Sequence, residues 1–284
     1  MIKRSRTPLA NFLEEAKAIV EEAERRNITL RLMGAVAIRI HCPKFSYLHE
    51  ALEREFTDLD FMAYSKDLRK VKELFCELGY QERRMGAAIA ISAYGERLIF
   101  DDLINKRHVD VFFDKLRMCH TIDFRGRLEL DYPTITPTDL LLEKLQIVKI
   151  NEKDIKDVIV LLREHEIGEK EKETINVRYI ARLLSSDWGF YYTVTTNLSK
   201  IKTFLDHYGV LREDDRKNVT SKINKIQKII EEEPKSLKWK LRAKIGTRIK
   251  WYEEVEEVVR GPQIQVIKQK PPKTLMNTKF KARV

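Results

Sequence analysis

Several features that mark other protein classes are missing from this chain of 284 residues. No apolar run approaches the ~20 residues of a membrane-spanning helix. Basic residues stand near the N-terminus, but no apolar stretch follows them, so we expect no secretory signal. The only cysteines, Cys42, Cys76 and Cys119, are too few for a disulfide framework. These absences predict a cytoplasmic protein with reduced thiols and no membrane partner.

Common sequence signatures of nucleotide and acyl-transfer sites are absent as well. The chain contains no Walker A motif, no dinucleotide fingerprint and no G-x-S-x-G. The pairs His41-Cys42 and Cys119-His120 lack the C-x-x-C spacing of a zinc site, so they are interpreted as ordinary buried side chains. The candidate chemical groups of this chain are carboxylates in its first half.

Charge is abundant and unevenly distributed. Charged residues make up 35% of the chain, against about 25% in an average globular protein, while 43% hydrophobic residues suffice for a core. The formal charge is +10, and residues 234–250 and 261–284 contain Lys and Arg but no Asp or Glu. Such segments attract polyanions such as RNA in a salt-dependent manner. A solvated helix face and a disordered tail explain the same composition.

Apolar periodicity divides the chain into two parts. Helices are predicted from Thr7-Pro8 onward, at 35–41 and at 66–78, and strands at 29–33, 58–64, 88–93, 97–100, 108–113 and 127–130. After Thr136-Pro137 only helices are predicted, at 136–150, 152–165, 177–185, 192–208, 214–232 and 235–259. We therefore predict an α/β (α+β) domain with a mixed sheet at 1–135, a helical domain at 136–260 and a flexible basic tail at 261–284.

Three acids in the first part indicate a metal site. Asp58 and Asp60 share one face of a predicted strand, because successive side chains point to opposite faces. Asp110 lies in another, otherwise apolar strand, where a carboxylate costs free energy unless it has a partner. Neighbouring carboxylates repel each other unless a cation lies between them, and Mg²⁺ prefers such oxygen ligands. If the two strands are neighbours, the three carboxylates converge.

Gly34-Ala35 follows a strand and opens a short helix, so its backbone N–H groups are available to a phosphate. With Asp58-Leu59-Asp60 and Asp110, this order resembles the nucleotidyltransferase superfamily, the polymerase-beta-like enzymes. The segment from Arg54 to Asp60 resembles the AbiEii-type branch of that superfamily, in which an Arg usually stands four residues before the first Asp. Two later segments are also similar to that branch and extend the resemblance over roughly residues 31–162: Leu140-Leu141-Leu142-Glu143-Lys144-Leu145 and Lys153-Asp154-Ile155-Lys156-Asp157.

The resemblance implies a Mg²⁺-dependent transfer of NMP from an NTP to an acceptor hydroxyl, with release of pyrophosphate. Asp58, Asp60 and Asp110 would hold two Mg²⁺ ions and act as the catalytic residues. The implied nucleotide-binding residues are Gly34, Ala35, Arg54, Lys144, Asp154 and Asp157. For Asp154, stabilisation of the helix dipole is an alternative explanation.

Other features of the chain bear on the acceptor and on the partners. The basic C-terminal region favours RNA, such as a tRNA end, as the acceptor. Ala35 stands where the family often has Ser, which motivates an alternative: a catalytically retired module that binds nucleotide or RNA without turnover. The AbiEii-type resemblance also implies a toxin with an antitoxin partner. The aromatic cluster at Trp188, Phe190, Tyr191 and Tyr192 is expected to belong to the core rather than to a base-stacking site.

Overall fold

The computed structural model describes residues 6–83 and 97–254. Its strands are Leu30–Met33 (β1), Asp58–Ala63 (β2), Gln81–Glu82 (β3), Arg97–Asp102 (β4), Arg107–Phe113 (β5), Lys115–Arg117 (β6), Thr121–Asp123 (β7), Glu166–Gly168 (β8) and Thr174–Asn176 (β9). Its α-helices are Phe12–Arg25 (α1), Gly34–His41 (α2), Tyr47–Ala51 (α3), Leu68–Glu77 (α4), Pro137–Leu145 (α5), Glu152–Glu164 (α6), Val177–Leu184 (α7), Trp188–Phe204 (α8), Glu213–Glu232 (α9) and Leu237–Ile245 (α10).

The central sheet is mixed and has the order β1-β2-β5-β4-β3. Strands β2 and β5 run parallel, and the other neighbouring pairs are antiparallel. Short pairs β6–β7 and β8–β9 lie outside it. This architecture confirms the predicted α+β class, in which a mixed sheet is followed by a helical region.

One face of the sheet builds the core of the α/β part. Leu59 and Phe61 alternate with the two aspartates of β2 and are fully buried, as the period of a half-buried strand predicts. The ring of Phe75 on α4 stacks on Phe100 at 4.6 Å between centroids and meets Phe61 edge-on at 5.8 Å. With this face filled by apolar side chains, polar chemistry is left to the opposite face.

The two predicted parts of the chain pack against each other. Helix α2 contacts both α5 and α6, and α3 contacts α6. Residues 132–135 run beside β1, where the amide of Leu32 donates to Pro133 and its carbonyl accepts from Ile135. The domain boundary at residue 135 stays a prediction.

The prediction of a strand at 127–130 is wrong, because these residues form turns. Gly126, at φ +72°, precedes them, and Arg127 turns inward to pair with the buried Asp139, at 2.8 Å between Nε and Oδ1. Leu128 is fully buried without joining a strand ladder. Leu128 is thus buried by packing and not by strand pairing. A short apolar pattern in the sequence does not distinguish these two causes of burial.

Several helix boundaries also differ from the prediction. Helix α1 begins after Asn11, whose side chain accepts the amides of Leu13 and Glu14, and not at Thr7-Pro8. Helix α8 begins before Tyr192 because Asp187 caps it through the amide of Phe190. Helices α5 and α10 end earlier than predicted, and the short strands β6 to β9 had no clear pattern. The predicted strand at 88–93 and the basic region at 261–284 lie outside the described residues.

Candidate active site

The central strands bring the three predicted metal ligands onto one face of the sheet. In the parallel register of β2 and β5, Asp60 is opposite Asp110, and Asp58 is opposite His108. Register partners in neighbouring strands point to the same face, and the strands lie ~4.8 Å apart. The side chain of Asp110 is 2% exposed, and that of Asp58 accepts a hydrogen bond from the hydroxyl of Thr57.

The backbone of Gly34 lies close to the carboxylate of Asp60. Gly34 opens α2 directly after β1, with φ +73°, and Met33 before it is opposite Asp60 in the β1–β2 register. A Cβ atom on Gly34 would lie 2.6 Å from Oδ2 of Asp60, closer than any ordinary contact. Both the left-handed backbone and the close approach require glycine at this position.

The electrostatics of the face are strongly negative around Asp60. Burial raises the pKa of Asp60 well above its usual range, and the charges of Asp58, Asp110 and Glu143 raise it further. Lys144 acts in the opposite direction with a smaller effect. A cation placed among these carboxylates would lower that pKa and stabilise their charged form.

Arg54, Lys144, Asp154 and Asp157 meet in a second cluster of charges. Nε and Nη2 of Arg54 donate to the two oxygens of the fully buried Asp157, at 2.9 and 3.0 Å. Nζ of Lys144 lies 3.2 Å from both Asp154 and Asp157. Burial alone would lower the pKa of Lys144, but Asp154, Asp157 and Glu143 together outweigh burial and raise it. These acids therefore favour the charged form of Lys144, which the two acids of α6 hold at the end of α5.

Glu143 connects the carboxylate face around Asp60 with the charge cluster around Lys144. The sequence analysis did not predict it as a site residue. Its Oε2 accepts a hydrogen bond of 3.0 Å from the amide of Gly34, and its Oε1 lies 3.8 Å from Nζ of Lys144. Burial raises the pKa of Glu143, against the lowering effects of Lys144 and the Gly34 amide. Its position next to Lys144 in the apolar helix was the available signal. The first amide of α2 thus has a carboxylate acceptor in the free protein.

Asp110 has a cationic partner that sequence reasoning also missed. Arg97, on β4, lies 2.6 Å from it between Nη2 and Oδ2. His108 lies two residues before Asp110 in β5, on the same face, and its Nε2 is 3.6 Å from Oδ1 of Asp110 while its Nδ1 is 3.1 Å from Oδ1 of Asp101. Arg97 shares one face of β4 with Ile99 and Asp101 and alternates with Leu98 and Phe100, and this period of two was the available signal.

The donor set fits a hard divalent cation in its chemistry. Asp58, Asp60 and Asp110 supply only carboxylate oxygens, which Mg²⁺ prefers, from two adjacent strands of a rigid sheet. With the side chains in their present rotamers, no three His, Cys, Asp or Glu residues within 6–83 and 97–254 are arranged to hold a metal ion. Both carboxylate oxygens of Asp110 are in contact with Arg97.

Other predicted features have structural explanations. Trp188 and Phe190 are buried, and His120 stacks on Phe190 at 4.9 Å between ring centroids, so these rings belong to the helical core. Cys42 and Cys119 are buried free thiols. Within the described part of the chain, no helix is both long and apolar enough to cross a membrane.

The chain was compared with family models, curated proteins and solved structures. No protein-family model matches the chain, and no curated protein matches it. Among solved structures, that of the antibiotic-resistance factor ANT(2'')-Ia is similar at a TM-score of 0.37 and 13% sequence identity. The match covers 61% of this chain and 92% of that chain. The similarity concerns the course of the backbone alone.

Proposed function

We propose that this protein is a nucleotidyltransferase that moves a nucleoside monophosphate from an NTP to an acceptor hydroxyl, with Mg²⁺ as cofactor. The observation that carries the proposal is the register of β2 and β5, which sets Asp60 opposite Asp110 with Asp58 on the same face. The close approach of the Gly34 backbone to Asp60 supports it. The AbiEii-type branch remains a proposal from the sequence motifs.

In this scheme Asp58, Asp60 and Asp110 would hold the divalent cations, which would supply neutralisation of the triphosphate charge. The acceptor oxygen attacks the α-phosphorus in line, the bond to the β-phosphate oxygen breaks, and its electron pair leaves with pyrophosphate. Asp110 takes the proton of the acceptor hydroxyl. The Ala35 amide and the cation of Lys144 bind phosphate oxygens, and the Gly34 amide joins them once Glu143 has released it.

The remaining motif residues position Lys144 in this scheme. Asp154 and Asp157 hold its ammonium group from α6, and Arg54 is engaged by Asp157 at both of its donor atoms. We therefore assign Arg54, Asp154 and Asp157 to the support of Lys144. A direct contact of Arg54 with nucleotide would require it to leave Asp157.

For the acceptor we propose RNA, such as a tRNA end. Helix α10 has no buried residue, and its lysines at 238, 240 and 244 are exposed to solvent. An exposed helix with basic residues and no acid attracts a phosphate backbone and gains nothing from a neutral small molecule. An antitoxin partner stays a prediction from the AbiEii-type resemblance.

Transfer from labelled NTPs to total RNA in the presence of Mg²⁺ tests the proposal. Asp60→Asn and Asp110→Asn should each lower pyrophosphate release by at least about a hundredfold, because a divalent cation contributes several kcal/mol to phosphoryl transfer. Asp123→Asn, which changes a partly exposed acid on the β6–β7 hairpin, should leave the rate unchanged.

One result would refute this scheme, and another would favour the alternative function. Full activity of Asp60→Asn and Asp110→Asn would refute the scheme. Nucleotide binding that protects the wild-type protein, without any pyrophosphate release, would favour the retired binding module that Ala35 suggests. The side chain of Ala35 is a methyl group, so this position of α2 offers phosphate its backbone amide but no hydroxyl.

A further inference from the structure

The third carboxylate of the site is bound by an arginine of the same sheet. Nε of Arg97 lies 3.1 Å from Oδ1 of Asp110, and Nη2 lies 2.6 Å from Oδ2. The side chains are 18% and 2% exposed, so water screens the pair weakly. Two-point contacts between guanidinium and carboxylate are among the stronger polar interactions in proteins.

Strand register alone does not impose this contact. Ile99 is opposite Asp110 in the β4–β5 ladder, and Arg97 is opposite Phe112. The guanidinium reaches diagonally along the sheet and lies over the Phe112 ring, 5.0 Å from its centroid. It approaches Asp110 from the β4 side, whereas Asp60 faces Asp110 from the β2 side. A cation bound between the aspartates would therefore compete with Arg97 for the oxygens of Asp110.

We infer that Arg97 is an internal counter-ion of Asp110 that a divalent cation displaces, and that the released guanidinium then binds a phosphate group of the substrate. This inference rests on the proposed function, because it takes Asp110 as a metal ligand. Arg97 thereby couples the binding of the cation to the binding of the anion.

Charge balance gives the reason for this coupling. Without a cation, Arg97 compensates a carboxylate that lies among other carboxylates. When a cation takes Asp110, the guanidinium loses its partner on a partly buried face, and an unpaired charge there is unfavourable. A phosphate offers the same fork-shaped pair of oxygen acceptors. Each ligand therefore favours the other, and the coupling is reciprocal by thermodynamic linkage.

Direct binding of Mn²⁺ and of pyrophosphate, measured by calorimetry on the full chain, tests the inference without turnover. Arg97→Gln should bind Mn²⁺ alone about tenfold more tightly than wild type, because the competitor is gone. At saturating Mn²⁺, the same variant should bind pyrophosphate about tenfold more weakly. Arg97→Lys keeps the charge without the two-point contact and should fall between Arg97→Gln and wild type in both measurements.

Arg83→Gln is the matched control. Arg83 makes the same two-point contact with Asp101, at 2.9 and 2.6 Å, but this pair stands at the β3 edge of the sheet and is more exposed. Its loss should leave both affinities within about twofold of wild type. Unchanged Mn²⁺ and pyrophosphate affinities in Arg97→Gln and Arg97→Lys would overturn the inference.

The proposed function fails separately. If Asp60→Asn and Asp110→Asn bind Mn²⁺ as the wild type does, the carboxylates are not the metal site, and the proposed function falls together with the inference. If those variants lose Mn²⁺ while the Arg97 variants behave as wild type, the metal site stands and only the role of Arg97 is refuted.

Discussion

Gly34 shows how one position can carry both a backbone and a steric requirement. Its φ of +73° is a region that side chains with a Cβ avoid, and its missing Cβ leaves room for the carboxylate of Asp60. Gly126 has the same backbone requirement, at φ +72°, but nothing lies within 4 Å of where its Cβ would be. The chain thus offers a natural control for separating the two effects.

Gly34→Ala and Gly126→Ala should both destabilise the protein by about 1–2 kcal/mol, the cost of a left-handed conformation for an L-residue. Only Gly34→Ala should lose nucleotide transfer, because its methyl group must push Asp60 aside. Thermal unfolding and pyrophosphate release measure the two effects. Equal activity in the two variants would show that the approach of Gly34 to Asp60 has no catalytic importance.

Among the secondary-structure elements, α10 differs from the other helices of the described chain in its exposure. No residue of it is buried, and Leu237 and Leu241 are 74% and 55% exposed. It is anchored by Ser236, whose amide donates to the Ser185 carbonyl, and by Trp239, whose ring meets Tyr191 edge-on. The helix therefore holds its exposed lysines on a fixed support.

Changing Lys238, Lys240 and Lys244 together to Gln should weaken RNA binding and flatten its salt dependence. For single-stranded RNA, three lost phosphate contacts should lower the slope of log affinity against log salt by about 2. The control changes three exposed lysines elsewhere to Gln: Lys170, Lys217 and Lys228. If both triple variants lose the same slope, net charge and not α10 attracts the RNA.

Across the whole molecule, buried neutral histidines link folding to pH. Burial lowers the pKa of both His49 and His120 to about 4. The unfolded chain takes up protons on these histidines below pH ~6.5, whereas the folded chain resists protonation until about pH 4. Their contribution to stability is therefore complete above pH 6.5 and is lost as the pH falls towards 4.

When the pH falls from 7.5 to 5, each of these histidines should lower the free energy of unfolding by about 2 kcal/mol. Denaturant unfolding at the two pH values measures the loss. His120→Gln, which keeps a polar partner for the Thr193 hydroxyl, should show a loss smaller by that amount. His207→Gln, at an exposed site, should behave as wild type. The same loss in all three proteins would contradict the assignment.

The sequence by itself determined the class of fold and the face of β2 on which Asp58 and Asp60 lie. Strand period two separates Asp58 and Asp60 from Leu59 and Phe61, and helical periodicity located α6, α7 and α9 closely, because these patterns arise from local geometry and burial. The short strands β6 to β9 were not predicted, since three residues carry too little periodicity.

Tertiary structure alone decided which charges meet. The pairing of β2 with β5 places Asp60 opposite Asp110, and the β4–β5 pairing brings Arg97 within reach of Asp110. The contacts of Glu143 with Gly34 and of Arg54 with Asp157 each join residues more than 100 positions apart. Such partners depend on how sheet and helices pack, and no local pattern in the chain encodes that distance.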